Sequence, residues 1–209
     1  MGENRRSVLL IACGALAHEL RALQRLGGWD HVAIQCLPAE LHNRPQEIPG
    51  AVREKLEQAR GRFDEVFVAY ADCGTAGRLD SVLAEYDAER LPGAHCYAFF
   101  AGIERFAALH DAEPGTFYLT DFLVRHFDRL VIRGLGIDRH PELLTDYFGN
   151  YRRVMYLAQT PTPELDAKAL DCARQLGLEF ERCVTGLDGL ARALPTASTL
   201  EPRAAEATG

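Results

Sequence analysis

Alternation of short apolar runs with amphipathic segments constrains this chain more than any other feature of its sequence. The runs VLLIAC, HVAIQCL and EVFVAYADC cover residues 8–13, 31–37 and 65–73, and each precedes a segment with helical periodicity. Strands that are apolar along their whole length are typical of parallel sheets with helices on both faces. The pattern therefore predicts an α/β fold, a single doubly wound parallel-sheet domain with flavodoxin-like or Rossmann-like strand order.

The same pattern continues to the end of the chain and sets the predicted domain boundaries. Further strands are predicted over 94–100, 152–159 and 179–186, and later helices over 120–133 and 162–178. We expect one domain over residues 1–194 and a disordered tail over 195–209, whose Ala, Thr, Glu and Pro residues offer little for a core.

Composition narrows the classes of partner. A net charge of −7 and a pI near 5.5 argue against nucleic acid, since phosphate binding favours basic surfaces. No apolar run approaches the roughly 18 residues of a membrane span. The chain is core-rich and has no CxxC pair among its six cysteines, so neither a disulfide scaffold nor a zinc ribbon is indicated. We expect a cytoplasmic protein that binds a small molecule and neither nucleic acid nor membrane.

Cysteines lie at or near the ends of the first four predicted strands. They are Cys13, Cys36, Cys73 and Cys96. Ligands of such sheets bind beyond the carboxyl ends of the strands, where the strand order reverses. In the order 2-1-3-4-5 the first and third strands are neighbours, so Cys13 and Cys73 would emerge roughly 5 Å apart, with Cys96 one strand further on. The order 3-2-1-4-5 would separate them, and buried cysteines also often only fill space.

Three thiolates at one sheet edge predict a zinc site with an open fourth position. The predicted ligands are Cys13, Cys73 and Cys96, and their net negative charge favours zinc over magnesium. Zinc would act as a Lewis acid and lower the pKa of a bound thiol or water. The same thiolates are also suited to an iron–sulfur cluster, which stays an alternative.

Polar residues of nearby turns complete the predicted site. The segment LPAELHNRP, residues 37–45, supplies His42 and Arg44, and Arg44 is suited to a carboxylate or phosphate. Asp72 either orients a ligand or caps its own turn. A turn at 115–118, before a predicted helix, suggests an anion-binding lid. The residues predicted to line the cofactor are Gly14, Gly74, Thr75, Gly115 and Thr116.

Six segments along the chain form a specific combination: IACGALAHEL, LPAELHNRP, YADCGTAGRLD, HCYAFFAG, EPGTFYLTDFLVRHFD and YFGNYRRVMYLAQ. Together they resemble the family called domain of unknown function 1638, over about residues 7–194. The family pattern has glycine where this chain has Ala76. The resemblance brings no assigned activity, but it implies a setting of corrinoid-dependent methyl transfer and one-carbon metabolism in bacteria.

These features together predict a zinc-dependent methyltransferase, or a component of one, that acts on a small sulfur or nitrogen compound. His42 and Arg44 would hold the substrate, and the resemblance implies a corrinoid protein or a methyltransferase as partner. Three alternatives stay open. The chain could be an iron–sulfur redox or corrinoid-reactivation protein, a non-catalytic accessory module of a methyltransferase system, or a metal-free transferase with Cys73 as its nucleophile.

Overall fold

The computed structural model describes residues 6–195 and contains two parallel sheets, with helices between the strands along the chain. Contacts divide the chain into two compact units. The first contains the chain up to His95 and again from Ala191, and the second is Cys96–Leu190. The predicted α/β class is confirmed. The single domain over 1–194 stays a prediction, and the tail predicted from residue 195 lies, beyond Pro195, outside the described residues.

The first unit contains a four-stranded parallel sheet. Its strands are β1 Val8–Cys13, β2 Val32–Leu37, β3 Glu65–Ala69 and β4 Glu89–Arg90. Its helices include α1 Ala17–Gly27, α2 Ile48–Ala59 and α3 Arg78–Ala84. Every residue of β1 is buried, as its uninterrupted apolar sequence predicts for a strand covered on both faces.

The strand order of this sheet is β2-β1-β3-β4, so β1 lies between β2 and β3. In the parallel register Ala12 is level with Cys36 on one side and with Ala69 on the other. This is the flavodoxin-like start of the order that the sequence predicted. The segments that follow β1, β2 and β3 therefore begin at one edge of the sheet, where the predicted site was expected.

The second unit contains a three-stranded parallel sheet. Its strands are β5 Thr116–Thr120, β6 Arg153–Ala158 and β7 Glu179–Val184, in the order β5-β6-β7. Its helices include α4 Tyr97–Ala101, α5 Ile103–Ala112, α6 Asp121–Arg125, α7 Leu143–Phe148 and α8 Pro163–Leu176, and α9 Asp188–Ala193 crosses the second boundary. Its core packs the apolar face of α8 against the sheet, with Tyr156 and Leu119 fully buried.

Two predicted elements of the second half are wrong. The strand predicted over 94–100 is instead helix α4, because a short apolar run can be either a buried strand or a helical turn. The turn predicted at 115–118 is the start of β5, because the β-forming residues of TFYLT outweigh the turn signal of Pro114 and Gly115. No helix in the described part of the chain combines the length and apolarity needed to cross a bilayer.

Candidate metal centre

Cys13 is the last residue of β1, and its side chain is almost completely buried. Its Sγ accepts a hydrogen bond from the backbone N–H of Ala15 at 3.4 Å, at the start of a short 3₁₀ turn. Gly14 allows this turn to pass close to β2, since a Cβ at this position would lie 2.9 Å from the Leu37 carbonyl oxygen. Gly14, which was predicted to line a cofactor, thus has a packing role that positions Cys13.

His42 reaches Cys13 from the segment that follows β2. The segment forms a 3₁₀ helix, Ala39–Asn43, rather than the irregular loop that its polar, proline-bounded sequence suggested. Its starting point is close to Cys13 because Leu37 is level with Cys13 in the register of the sheet. The Nδ1 atom of His42 lies 3.5 Å from the Sγ atom of Cys13. His42 is also solvent-exposed, so this side of the cluster is open to small molecules.

Cys73 joins the same cluster from a turn beyond β3. The ring nitrogen of His42 and the Sγ atom of Cys73 lie within 4.8 Å of each other. The backbone of Cys73 has a φ of 48°, in the left-handed region, and its N–H donates to the Ala94 carbonyl at 2.8 Å. A non-glycine residue in this region costs about 1–2 kcal/mol, and such strain is characteristic of functional sites.

Asp72 holds the turn that carries Cys73. Its Oδ1 accepts hydrogen bonds from the Thr75 hydroxyl at 2.8 Å and the Gly77 N–H at 2.9 Å, and its Oδ2 accepts one from the Ala76 N–H at 3.1 Å. These hydrogen bonds hold the pKa of Asp72 below its ordinary value, and the bond from Gly77 has the largest effect. Of the two roles proposed for Asp72, the contacts favour the cap. Its predicted catalytic role stays a prediction.

Electrostatics couple His42 to both thiols. His42 is exposed as a residue, but desolvation of its ring nitrogens beside the sulfurs lowers its pKa. Hydrogen bonds to Cys13 and Cys73 more than offset this effect and raise the pKa to about 10. The imidazole is therefore well placed to carry a proton beside the two sulfur atoms when no metal is bound. A metal ion would replace that proton, because the ligands of zinc are thiolates and neutral imidazole.

The spacing of the cluster suits a tetrahedral ion. With Zn–S bonds of about 2.3 Å and Zn–N bonds of about 2.0–2.1 Å, a sulfur and a nitrogen ligand of one tetrahedron lie about 3.5 Å apart. The separation of Cys13 Sγ and His42 Nδ1 is 3.5 Å, so these two atoms already have that spacing. The Cys73 sulfur lies within 4.8 Å of a ring nitrogen of the same histidine.

Cys96 is the first residue of the second unit and immediately precedes α4. It is buried, and the chain reaches it two residues after Ala94, the acceptor of the Cys73 N–H. The predicted role of Cys96 as a third thiolate ligand stays a prediction.

The other predicted residues near Cys73 have identifiable places. Gly74 has a φ of 83°, and a Cβ on it would lie 3.5 Å from the ring of Pro45, so the Cys73 turn packs on the segment that carries His42. Thr75 is fully buried and anchors the turn through Asp72. The Arg44 guanidinium is mostly exposed and lies 3.8 Å from the Glu47 carboxylate. It is available at the surface of the same segment.

Gly115 and Thr116 belong to the second unit, at the amino end of β5. The Gly115 N–H donates to the Glu113 carboxylate at 2.9 Å, and the Thr116 hydroxyl donates to the Glu113 carbonyl at 2.5 Å. Thr116 Oγ1 also accepts from Nε of the buried Arg153 at 2.8 Å. The predicted helix-entry turn with an anion-binding lid is therefore wrong, because these polar atoms pair with one another at the start of a strand.

A buried polar network in the second unit was not predicted. The fully buried Asp121 accepts hydrogen bonds from the Tyr156 hydroxyl at 2.8 Å, the Gln159 N–H at 3.1 Å and the Thr160 N–H at 2.8 Å. Burial and this contact with Asp121 raise the pKa of Tyr156. The carboxylate fixes the start of α6 to the end of β6. The signal available in the sequence was a Thr-Asp pair directly after an apolar run.

Sequence reasoning placed His42 in the site as a substrate-binding residue, which stays a prediction, and did not foresee its contact with the Cys13 sulfur. The signal that would have identified it is topological: in the order 2-1-3 the segment after β2 starts beside the end of β1. Comparison with family models decides the relationship: the model described as a protein of unknown function, DUF1638, matches residues 36–194. The chain belongs to the DUF1638 family. The matched range includes His42, Cys73 and Cys96 and starts after Cys13. No match was found among curated proteins.

Proposed function

We propose that this DUF1638 protein binds a zinc-type metal ion and uses it in methyl transfer to a small thiol or amine. The proposed ligands are Cys13, His42 and Cys73, all in the first unit, and the ligand role predicted for Cys96 stays a prediction. The observation that carries the proposal is the 3.5 Å separation of Cys13 Sγ and His42 Nδ1 at the carboxyl edge of a parallel sheet. Such edges are where ligands bind in this fold class.

The donor atoms favour zinc among the common metals. Thiolate sulfur selects zinc, copper(I) or iron, whereas magnesium and calcium take oxygen ligands. The 3.5 Å spacing of His42 Nδ1 from Cys13 Sγ favours one ion over an iron–sulfur cluster, because a cluster distributes its ligands over several iron atoms. A redox role thus ranks below a Lewis-acid role.

Occupancy of the fourth position decides between catalysis and structure. Three protein ligands leave a position for a substrate, whereas four protein ligands close the site, as in structural zinc sites. With Cys13, His42 and Cys73 as the protein ligands, the exposed side of His42 gives a small molecule access to the open position.

The proposed reaction follows from what zinc supplies when bound, which is a lowered pKa for a thiol at the open position. The thiol would release its proton to solvent, and its sulfur would then attack the methyl carbon of a methyl-corrinoid co-substrate. A C–S bond would form as the Co–C bond breaks, with the bonding electron pair left on cobalt, which would pass from Co(III) to Co(I). Arg44 would attract an anionic substituent of the thiol from its exposed position beside His42.

Metal analysis of untagged protein tests the centre. We expect about one zinc per chain, lost in Cys13→Ser and Cys73→Ser. Cys36→Ser is the matched control, because Cys36 is level with Ala12, one residue before Cys13, and its side chain therefore lies on the opposite face of the sheet. Equal zinc in all four proteins, or none in the wild type, would contradict the centre.

The reaction needs its own assay, because a metal centre can also be structural. The zinc-loaded protein is incubated with methylcobalamin and 2-mercaptoethanol, and the release of Co(I) is followed anaerobically by absorbance. We expect release that depends on Cys13 and not on Cys36. A protein that binds zinc but transfers no methyl group would rule out the transferase function and favour an accessory module.

A metal-free thiol transferase is the second candidate, and the raised pKa of His42 favours it specifically. In that reading Cys73 is a nucleophile whose thiolate is stabilised by the His42 imidazolium. Alkylation of the metal-free protein with iodoacetamide tests it. Rapid labelling of Cys73 near neutral pH that slows strongly in His42→Asn would support this candidate, and equal rates would oppose it.

A further inference from the structure

Arg90 connects three parts of the first unit that surround Cys73. It is the last residue of β4, and its side chain is largely buried. Its guanidinium makes a bidentate pair with Asp80 on α3, with Nε–Oδ1 at 2.5 Å and Nη2–Oδ2 at 2.9 Å. The remaining nitrogen, Nη1, donates to the Leu91 carbonyl at 2.8 Å and to the Gly93 carbonyl at 3.3 Å.

These carbonyls belong to the segment that aligns the Cys73 turn. The Gly93 carbonyl also accepts the Asp72 N–H at 3.0 Å, and the next carbonyl, that of Ala94, accepts the Cys73 N–H at 2.8 Å. Arg90 and the Cys73 turn therefore share an acceptor. The other end of the guanidinium holds Asp80, in the helix that begins directly after that turn.

We infer that Arg90 is a positioning residue of the proposed metal centre, which sets the place of the Cys73 sulfur through Gly93 and Asp80. The inference rests on the proposed function, since it assigns a role toward the metal. Arginine suits this role because its planar fork binds the carboxylate in a bidentate pair while a third nitrogen donates to the carbonyls, a geometry that the single ammonium of lysine does not provide. The strained φ of Cys73 requires such support from its surroundings.

Arg90 also brings positive charge to a cluster of thiolates. The pKa of Arg90 is raised, first by its hydrogen bond to Asp80 and further by the charges of Asp80, Asp72 and Cys73. The guanidinium thus stays charged and partly offsets the negative charge that two or three thiolates accumulate. Loss of Arg90 should disturb both the place and the charge balance of the Cys73 ligand.

The chain offers a matched control for this pair. Arg53 on α2 makes a bidentate pair with Glu85 at the end of α3. Both pairs tie α3 to another element of the same unit, but only Arg90 touches the segment that receives Cys73. Arg53→Gln therefore removes an equivalent ion pair without touching the acceptors of the Cys73 turn.

Cobalt(II) binding to the full chain tests the inference. Affinity is measured by chelator competition, and the ligand geometry by the thiolate-to-cobalt charge-transfer band. Removal of supporting residues around metal ligands typically lowers metal affinity about 10–100-fold. We expect that loss in Arg90→Gln together with a changed cobalt spectrum, a partial rescue in Arg90→Lys, and wild-type affinity and spectrum in Arg53→Gln.

The outcomes separate the two claims. A wild-type protein that binds no cobalt overturns the metal centre and with it the role of Arg90. A wild type that binds cobalt, with Arg90→Gln equal to Arg53→Gln in affinity and spectrum, overturns the role of Arg90 alone. If Arg90→Gln fails to fold by circular dichroism, Asp80→Asn replaces it, because it removes the same pair from its exposed side and leaves the arginine in place.

Discussion

Replacing Ala76 by glycine should stabilise the protein, which is the opposite of the usual effect of this substitution. Ala76 has a φ of 54°, a left-handed backbone that glycine adopts without a steric cost. The exposed methyl group contributes little burial, and the Ala76 N–H bond to Asp72 survives in the variant. Glycine also stands at this place in the family pattern that the sequence resembles.

The magnitude follows from two opposing terms. Relief of the left-handed strain gains about 1–2 kcal/mol, and the greater freedom of glycine in the unfolded chain costs about 0.5–1 kcal/mol. The expected net gain is about 0.5–1 kcal/mol, or about 1–4 °C in melting temperature for a chain of this size.

Urea unfolding at equilibrium is the assay, and Ala88→Gly is the matched control. Ala88 is also partly exposed and outside regular structure, but its φ lies outside the left-handed region. We expect Ala88→Gly to lose about 0.5–1 kcal/mol while Ala76→Gly gains. Equal losses in the two variants would refute the left-handed turn, and with it the strained placement of Cys73.

Three further predictions address packing, the buried network and pH. Gly14→Ala should cost about 1–3 kcal/mol in urea unfolding, because its Cβ would meet the Leu37 carbonyl at 2.9 Å; unchanged stability would contradict the close approach. Asp121→Ala leaves two buried donors, the Tyr156 hydroxyl and the Gln159 N–H, and the part-buried Thr160 N–H without their acceptor. It should cost at least about 2 kcal/mol, so a loss under about 1 kcal/mol would show that the network matters little. Arg90 holds the pKa of Asp80 below its ordinary value of 3.8. The pair therefore stabilises the folded protein above pH 3.8, and this contribution is lost as the pH falls through the lowered pKa. The stability of Asp80→Asn should decline less than that of the wild type in acid.

The first half of the fold could be predicted because its signals agree. The uninterrupted apolar run of β1 requires a central strand, and Gly14 directly after it marks where it ends, whereas β3 ends at Ala69, four residues before the predicted end at Cys73. Adjacent placement of β1 and β3 follows from the strand order, which the sequence left between two possibilities and the structure resolves.

The second half was harder because local patterns conflict there. The aromatic run before Gly102 is too short for its periodicity to separate helix from strand, and α4 is the result. The start of β5 carries a Pro-Gly signal that favours a turn, but pairing with β6 and the buried Arg153 outweighs it. Tertiary contacts decide both cases, and a single sequence does not contain them.

The sequence predicted which residue types could form the site but not which residues contact each other. The cysteines were identified by their places at strand ends, whereas the role of His42 depends on a 3.5 Å contact that no spacing in the sequence reveals. No pattern in the sequence pointed to Arg90, because β4 has only two residues and Asp80, the partner of Arg90, lies on another element.

X-ray absorption at the zinc edge of the zinc-loaded protein tests the central claim most directly. The proposed centre predicts a first shell of at least two sulfurs at about 2.3 Å and one imidazole nitrogen at about 2.0–2.1 Å, with the nitrogen lost in His42→Asn and one sulfur lost in Cys13→Ser. A shell of oxygen and nitrogen alone, or one that neither variant alters, would contradict the assignment of Cys13, His42 and Cys73 as metal ligands.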